Sequence, residues 1–259
     1  MIRVIPVLFI KNGLIVRSQN FFRHQVIGNV ISQAKRLNDW MADELICIDI
    51  SEEKIYDSRR DDHQVKSINN IIDIIREMSK VIFMPFSFGG GIRTVDDAKN
   101  RIRNGADKII INTLLFESKE TVQEIIQILG SQAVIASIDY KLENGNPIVY
   151  SNSGKKKVEK NLFEAIKYCE NLGVGEIFIQ NINLDGASTG YDIDLLKEVV
   201  NFSSLPVVVC SGAGNDFHFK DVAKINNISG IAAGNFFNFS ERSYPRVKQF
   251  LKKEGFNVR

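Results

Sequence analysis

Cysteine and histidine are both scarce in this 259-residue chain, which contains three of each. Three cysteines without a CxxC pair are too few for a disulfide framework. The histidines are scattered and show neither HxxxH nor HxH spacing, so we expect no metal site. Nothing else in the sequence indicates a cofactor.

Excess charge and long hydrophobic runs are also lacking. The 33 Lys and Arg residues oppose 31 Asp and Glu residues, and a net charge of +2 is too small to indicate a nucleic-acid or membrane partner. No stretch approaches the roughly 20 apolar residues of a membrane span, and the apolar run at the N-terminus is too short for a signal peptide. With 44% hydrophobic residues, the composition is that of a folded protein, which we expect to be cytoplasmic.

Short apolar runs alternate with longer amphipathic stretches along the chain. The amphipathic stretches predict helices, for example over Asn29–Trp40, Thr94–Asn104, Ser118–Leu129 and Asp192–Asn201. The apolar runs are almost continuously hydrophobic, which is typical of parallel strands covered on both faces. The predicted strands are Val4–Phe9, Leu45–Ile50, Val81–Phe86, Lys108–Asn112, Ala133–Asp139, Glu176–Gln180, Pro206–Cys210 and Gly230–Ala233.

Eight such strand–helix units predict an α/β fold, a (β/α)8 TIM barrel formed by residues 1–259 as one domain. An open doubly wound sheet is the alternative, but it requires a GxGxxG fingerprint after the first strand, and that fingerprint is missing. Two connections are long, Ile10–Gly28 and Tyr140–Glu159. Both follow a strand and so lie at the rim where barrel enzymes carry their active sites, which predicts functional lids.

A glycine-rich turn occurs twice, half a barrel apart. The segments Phe86–Ile92 and Val209–Asn215 each end a predicted strand with such a turn, and the strands that follow end in Ile111–Leu114 and Ala232–Phe236. This pattern indicates duplication of a half-barrel. Such turns leave backbone N–H groups open to an anion, so two phosphate sites are the favoured interpretation. The alternative is that the glycines only allow tight turns.

Six segments carry a resemblance to a known family. They are residues 43–50 (DELICIDI), 88–98 (FGGGIRTVDDA), 105–113 (GADKIIINT), 130–141 (GSQAVIASIDYK), 175–192 (GEIFIQNINLDGASTGYD) and 211–214 (SGAG). In these segments the chain resembles the HisF family, the cyclase subunits of imidazole glycerol phosphate synthase in histidine biosynthesis. The resemblance implies a TIM barrel that takes ammonia from a HisH-like glutaminase partner along its axis and uses it on a bis-phosphorylated substrate.

The resemblance also implies where a phosphorylated ligand binds. The first phosphate cluster is Gly90, Gly91, Asn112 and Thr113. The second phosphate cluster is Asp185, Gly186, Ser211, Gly212, Ala233 and Gly234. Arg17 lies in the first loop, where the family usually carries a lysine that faces the substrate.

A ring of four charged residues closes the bottom of the barrel in the family. The resemblance assigns this ammonia gate to Arg3, Glu44, Lys108 and Glu176. Two acids and two bases near the strand starts of a packed barrel are costly unless they pair. We therefore expect a retained gate, with a glutaminase docked beneath it.

The family uses two catalytic aspartates, and this chain retains one of them. Asp139 matches the aspartate at the end of the fifth strand, whereas the position at the end of the first strand is Phe9. Phenylalanine can neither exchange a proton nor stabilise charge. Losing one of two cooperating acid–base groups costs orders of magnitude in rate. Asp49, another acid at the rim, is a candidate to act as the base instead.

Three functions follow from this departure. The favoured one is a paralogue with altered chemistry, whose ammonia goes to a third enzyme that amidinates a sugar in surface-polysaccharide biosynthesis. The second is a genuine histidine-pathway cyclase in which Asp139 and Asp49 share the work. The third is a non-catalytic subunit that binds a phosphorylated metabolite and regulates its glutaminase.

Overall fold

A computed structural model describes residues 1–52, 55–56, 68–239 and 242–259. In chain order the strands are β1 (Arg3–Lys11), β2 (Leu14–Gln19), β3 (Arg23–Asn29), β4 (Leu45–Asp49), β5 (Phe86–Gly89), β6 (Lys108–Ile111), β7 (Val134–Glu143), β8 (Asn146–Ser151), β9 (Lys156–Asn161), β10 (Glu176–Asn181), β11 (Val207–Cys210) and β12 (Gly230–Ala233). The helices are α1 (Val30–Asp39), α2 (Ile71–Ser79), α3 (Val95–Arg103), α4 (Thr113–Glu117), α5 (Lys119–Leu129), α6 (Leu162–Leu172), α7 (Ile193–Phe202), α8 (Asp216–Ala223), α9 (Phe236–Phe239) and α10 (Ser243–Lys253). Within these described ranges, no helix is long and apolar enough to cross a membrane.

Eight parallel strands form a closed barrel within the described part of the chain. Their order around the barrel is β1, β4, β5, β6, β7, β10, β11 and β12, after which β12 pairs with β1 again. Strands β7 and β10 pair in parallel, with Glu176 opposite Ile135 and Asn181 opposite Tyr140. Helices lie between the barrel strands in the sequence, so the predicted (β/α)8 TIM barrel is confirmed.

Side-chain alternation along the barrel strands divides the core in two. On β1, Ile5, Val7 and Phe9 belong to a cluster inside the barrel, together with Ile46 of β4 and Phe178 of β10. The alternate residues of the same strands belong to the larger core between barrel and helices. Successive side chains of a strand point to opposite faces, so each inward row runs from the bottom of the barrel to its mouth.

Side-chain caps determine where several helices begin. Thr94 and Asp97 form a capping box at the start of α3, and Asn29 accepts the N–H groups of two residues at the start of α1. Such caps satisfy backbone donors that have no partner within the helix. The predicted helices therefore match α1, α3, α5 and α7 to within one residue at each end.

The prediction of the third strand, Val81–Phe86, is wrong except at its last residue. The strand is β5, four residues that begin at Phe86. The first two residues of the predicted segment instead donate their N–H groups to the carbonyl oxygen of Met78 at the end of α2 (2.9 and 3.1 Å). Pro85 has no N–H group to contribute to a strand ladder. The apolar run therefore leads into the strand and does not form it.

The two long connections are ordered hairpins. Strands β2 and β3 pair antiparallel and continue from β1, while β8 and β9 do the same from β7. Both hairpins stand at the C-terminal ends of barrel strands, where the sequence placed the long connections.

The two glycine-rich turns share one feature of their backbones, a glycine with a positive φ that packs against a carbonyl oxygen. Gly90 follows β5 with a φ of +94°, and Gly212 follows β11 with a φ of +98°. A Cβ atom on Gly90 would overlap the carbonyl oxygen of Asp49, and one on Gly212 would overlap that of Gly190. Each turn thus packs against the backbone that leaves the preceding barrel strand, as expected of a duplicated half-barrel.

Gly90→Ala is expected to lower the free energy of unfolding by about 2–5 kcal/mol, because alanine disfavours a positive φ and its Cβ would displace the backbone of Asp49. Gly145→Ala is the matched control, since Gly145 has a φ of +81° but nothing lies within 4 Å of a Cβ there. The control should lose only about 1 kcal/mol. Urea unfolding measures both, and equal losses would contradict a role for the contact with Asp49.

Candidate functional site

A cavity of about 910 Å³ opens at the C-terminal ends of the barrel strands. The whole first phosphate cluster lines it, as do the two acids Asp49 and Asp139. No described member of the second phosphate cluster does so. The structure thus brings one part of the predicted site together and keeps the other part separate.

Two strand ends hold the first phosphate cluster in place. The side-chain amide of Asn112, at the end of β6, donates to the carbonyl oxygen of Ser137 on β7 (3.1 Å). The hydroxyl of Thr113, the first residue of α4, accepts the N–H of Asn152 (3.1 Å). The polar groups at this end of the cavity are therefore fixed by the β8–β9 hairpin as well as by the barrel.

Arg101 also lines the cavity, and the sequence analysis missed it. It lies in α3, is 3% exposed, and donates to the carbonyl oxygens of Gly90 (2.6 Å) and Asp97 (2.9 Å). Burial lowers the pKa of Arg101 below the usual value for arginine, although the charges of Asp97 and Asp49 oppose this. The spacing in the sequence could have indicated that Arg101 is buried. Arg101 follows the buried Ala98 by three residues and so lies on the buried face of α3.

The β2–β3 hairpin covers the second phosphate cluster. Asn235 accepts the backbone N–H of Ser18 (3.3 Å) and donates to the Ser18 carbonyl oxygen (2.6 Å). Asp185 accepts the N–H of Phe21 with its carboxylate (3.2 Å) and the N–H of Asn20 with its carbonyl oxygen (2.8 Å). Four hydrogen bonds therefore hold the hairpin against this side of the barrel.

The other members of this cluster lie close to the hairpin or to β1. A Cβ on Gly186 would press against the backbone of Ser18, and one on Gly234 would lie 3.4 Å from the ring of Phe9. The Ser211 hydroxyl is buried and makes no hydrogen bond within the described part of the chain. The remaining members, at the ends of β11 and β12, are Gly212 and Ala233.

Asp139 lies on the inward row of β7 and is 5% exposed. The hydroxyl of Ser137 donates to its carboxylate (3.0 Å). Burial raises the pKa of Asp139 to about 7; the Ser137 hydrogen bond opposes this rise and the charge of Asp185 adds to it. A carboxyl group with a pKa near 7 can both give and accept a proton at neutral pH.

Asp49 lines the same cavity, but both of its carboxylate oxygens already have partners. One accepts the N–H and the hydroxyl of Ser51 (2.9 and 2.5 Å), and the other accepts the hydroxyl of Tyr56 (2.8 Å). Its neighbour Ile48 packs against the barrel interior, so the Asp49 side chain points away from the axis. Asp49 therefore does not occupy the place that an acid at position 9 would have.

Phe9 lies on the inward row of β1, near the mouth of the barrel, and is 2% exposed. Its ring meets Phe21 edge-on, with 5.4 Å between the centroids, which links β1 to the hairpin. Arg17 is directed towards α9, where its guanidinium lies 5.5 Å from the centroid of the Phe239 ring. The end of β1 is thus apolar at the position where the resemblance implies a catalytic carboxylate.

The four predicted gate residues form one ring at the opposite end of the barrel. Arg3 pairs with Glu44 (2.6 Å) and with Glu176, while Lys108 lies 2.9 Å from Glu176 and 3.9 Å from Glu44. Charges alternate around the ring, and each side chain contacts two of opposite sign. Burial lowers the pKa of Arg3, but its two glutamate partners outweigh this and raise the pKa above the usual arginine value.

Three exposed apolar side chains share that end of the barrel, because each belongs to a segment that enters a barrel strand. Met1 precedes β1, Met41 precedes β4 and Phe83 precedes β5. They are 75%, 78% and 90% exposed. We call these three residues the bottom patch.

No group of His, Cys, Asp and Glu side chains suited to a metal occurs among the residues that the structure describes. His63 lies outside those residues.

The sequence matches the histidine biosynthesis protein family over residues 3–243. Its relatives include proteins named imidazole glycerol phosphate synthase subunit HisF. The one from Pyrococcus furiosus is 35% identical over 257 residues, 99% of this chain and 98% of that protein. The one from Sulfurisphaera tokodaii is 34% identical over 257 residues, and the one from Lysinibacillus sphaericus is 33% identical over 260 residues, with the same coverage.

Asp139→Asn is expected to change how stability depends on pH. The pKa of Asp139 is about 7 in the folded protein and about 3.9 in an unfolded chain. The unfolded chain loses this proton first, so the native protein loses stability as the pH rises from about 4 to about 7. The variant lacks this loss and should gain roughly 2–4 kcal/mol over the native protein across that range in urea unfolding.

The control is Asp96→Asn, at an exposed position of α3. It replaces an exposed carboxylate instead of a buried one, and its unfolding is measured over the same pH range. A stability difference between Asp139→Asn and the native protein that does not change with pH would contradict the raised pKa.

Proposed function

The chain belongs to the HisF family, and on that premise we propose that residues 1–259 work as one barrel domain, the synthase subunit of a glutamine amidotransferase. A HisH-like glutaminase docks at the bottom of the barrel and releases ammonia into it. The ammonia travels along the axis to the cavity, where a bis-phosphorylated or phosphosugar-type ligand binds. The observation that carries this proposal is the closed ring of Arg3, Glu44, Lys108 and Glu176.

The charged ring supports a role as the entry for ammonia, because its contribution to stability does not explain its presence. Buried ion pairs contribute little net stability compared with well-packed apolar side chains. Lys108 is the most exposed member, with 28% of its side chain accessible. Rotation of this one side chain opens the ring while Arg3 still pairs with both glutamates.

The bottom patch supports a partner at the same end. Interfaces are enriched in aromatic residues and methionine, and an exposed cluster of this kind marks a surface that binds another protein. Met41 precedes β4 and Phe83 precedes β5, and these two strands are neighbours in the barrel. Glu44 of the ring lies between Met41 and β4 in the sequence. A glutaminase seated on the patch therefore meets the gate.

The missing carboxylate supports altered chemistry at the top of the barrel. Asp139 is well suited to proton transfer, but its expected partner is Phe9, and the carboxylate of Asp49 is held by Ser51 and Tyr56. We therefore propose that histidine-pathway cyclisation is slow in this chain. Its ammonia instead serves a third enzyme, which amidinates a sugar in surface-polysaccharide biosynthesis.

Phe9→Asp is expected to raise cyclase turnover by about 10²-fold or more, because it restores the second acid–base group. The assay supplies the bis-phosphorylated substrate of the HisF reaction and excess ammonium salt, and Phe9→Asn is the control of equal size. Thermal unfolding shows whether each variant is folded, since the new carboxyl group enters an apolar cluster. A native rate typical of cyclases, abolished by Asp139→Asn, would instead identify a genuine histidine-pathway enzyme.

Phe83→Asp is expected to weaken binding of a HisH-type glutaminase from the same genome by roughly 10- to 100-fold, because it places a charge in the bottom patch. Phe217→Asp is the matched control, since Phe217 is 61% exposed but lies on α8, at the outside of the barrel. Calorimetry measures the affinity, and glutamate release measures the glutaminase. Equal affinities for the two variants would rule out the patch, and ligand-stimulated glutamate release without any aminated product would favour the regulatory subunit.

A further inference from the structure

Arg101 is a buried cation that forms no ion pair with a carboxylate in the part of the chain that the structure describes. None of the described carboxylates lies within ion-pair distance of its guanidinium, which donates only to backbone carbonyl oxygens. Its Nε atom is buried and has no hydrogen-bond partner in the described chain. A buried charge is costly unless an opposite charge compensates it. Asp97 and Asp49 compensate part of this cost from beyond ion-pair distance. An anion in the cavity that Arg101 lines would compensate more of it.

The first phosphate cluster is the place for that charge. Arg101 donates a hydrogen bond to the carbonyl oxygen of Gly90, in the turn after β5. A Cβ atom built on the adjacent Gly91 would lie 3.6 Å from the guanidinium of Arg101. A phosphate group at this turn would meet backbone N–H groups, the Asn112 and Thr113 side chains and a full positive charge. Arginine and phosphate form stronger hydrogen bonds than neutral groups do.

The inner wall of the cavity carries an uncharged polar side chain instead of a cation. Gln180 lies opposite Asp139 in the β7–β10 register, is 1% exposed, and its amide Nε2 has no partner among the described residues. An unpaired buried donor beside a carboxyl group is suited to a hydroxyl or carbonyl group of a ligand. On the rim, Lys141 donates to a backbone carbonyl oxygen and Lys155 pairs with Glu52.

A second phosphate at the second cluster would meet strong opposition. It would have to replace the four hydrogen bonds that hold the β2–β3 hairpin on Asn235 and Asp185. It would also lie beside the buried carboxyl group of Asp185 and the ring of Phe9. Like charges and an apolar ring both disfavour a dianion.

We propose that the barrel binds a ligand with one terminal phosphate, seated at the first phosphate cluster beside Arg101, and that the β2–β3 hairpin closes the second cluster to another phosphate. A sugar monophosphate fits this description, with its hydroxyl groups at Gln180 and Asp139. The inference rests on the proposed function for placing the ligand in this cavity, and it narrows the substrate class.

The test counts the phosphates bound by residues 1–259. Titration with inorganic phosphate, followed by ³¹P NMR and calorimetry, should give one site per chain. Ribose 5-phosphate and ribulose 1,5-bisphosphate should bind with affinities within about threefold of each other, because only one phosphate of the bisphosphate is held. Two phosphates per chain, or a bisphosphate bound at least about tenfold more tightly, would overturn the proposal.

Substitutions locate the site. Arg101→Leu should weaken ribose 5-phosphate binding by about tenfold or more, and Arg101→Lys should weaken it less. Lys11→Met removes another cation that lines the cavity, and Ser211→Ala removes the unpaired hydroxyl of the second cluster. Both should leave the affinity within about twofold of the native value. Equal effects of Arg101→Leu and Lys11→Met, or a large loss from Ser211→Ala, would refute the assignment.

Thermal unfolding checks that the variants are folded, and Arg101→Leu is expected to fold because an apolar side chain in place of an unpaired buried charge is often neutral or stabilising. The result is separable from the proposed function, since glutaminase docking is measured at the opposite end of the barrel. A chain that docks the glutaminase but binds two phosphates keeps the proposed function and loses this inference. A chain that binds one phosphate but no glutaminase loses the proposed function and keeps this inference.

Discussion

Closure of the eight-stranded barrel is the constraint on which every other feature depends. It aligns the inward rows of eight described strands, so that residues at equal heights meet around the axis. On β10 this row is Glu176, Phe178 and Gln180, a charged group at the bottom, an aromatic ring in the middle and a polar amide at the cavity. Strand β1 also has a charged group, Arg3, at the bottom, but it carries the apolar Phe9 near the mouth. The chemistry at the mouth therefore differs from strand to strand by single residues.

The sequence predicts the features that depend on side-chain type and fails on those that depend on backbone contacts. The resemblance to the HisF family implies the four charged residues at the bottom of the barrel, and they contrast with the apolar strands that carry them. Strand β5 is harder, because Ser87 and Gly89 interrupt its apolar pattern while Pro85 lies in a run that looks like a strand. The covering of the second phosphate cluster is not predictable at all, since the N–H groups of Asn20 and Phe21 make the bonds to Asp185 and any residue type could supply them.

The two half-barrels share a glycine of positive φ at corresponding turns but differ in their chemistry. Gly90 packs against the carbonyl oxygen of Asp49 at the end of β4, and Gly212 packs against that of Gly190 in the loop after β10. Around Gly90, the chain has a buried arginine and an open cavity. Beside Gly212 it has the buried hydroxyl of Ser211, and the β2–β3 hairpin packs against Asp185 and Gly186 of the same cluster. Conserved turn geometry in a duplicated fold is therefore a weak guide to what each copy binds, and the side chains that approach from neighbouring elements decide it.

The apolar middle of the barrel interior, which includes Val7, Ile46, Ile110 and Phe178, has a consequence for anything that travels along the axis. An ammonium ion would lose its hydration shell there and find no charge to replace it, whereas uncharged ammonia pays no such penalty. Such a layer would pass a neutral molecule and hold back its protonated form. A cation at either end of the axis would have to give up its proton before it could cross.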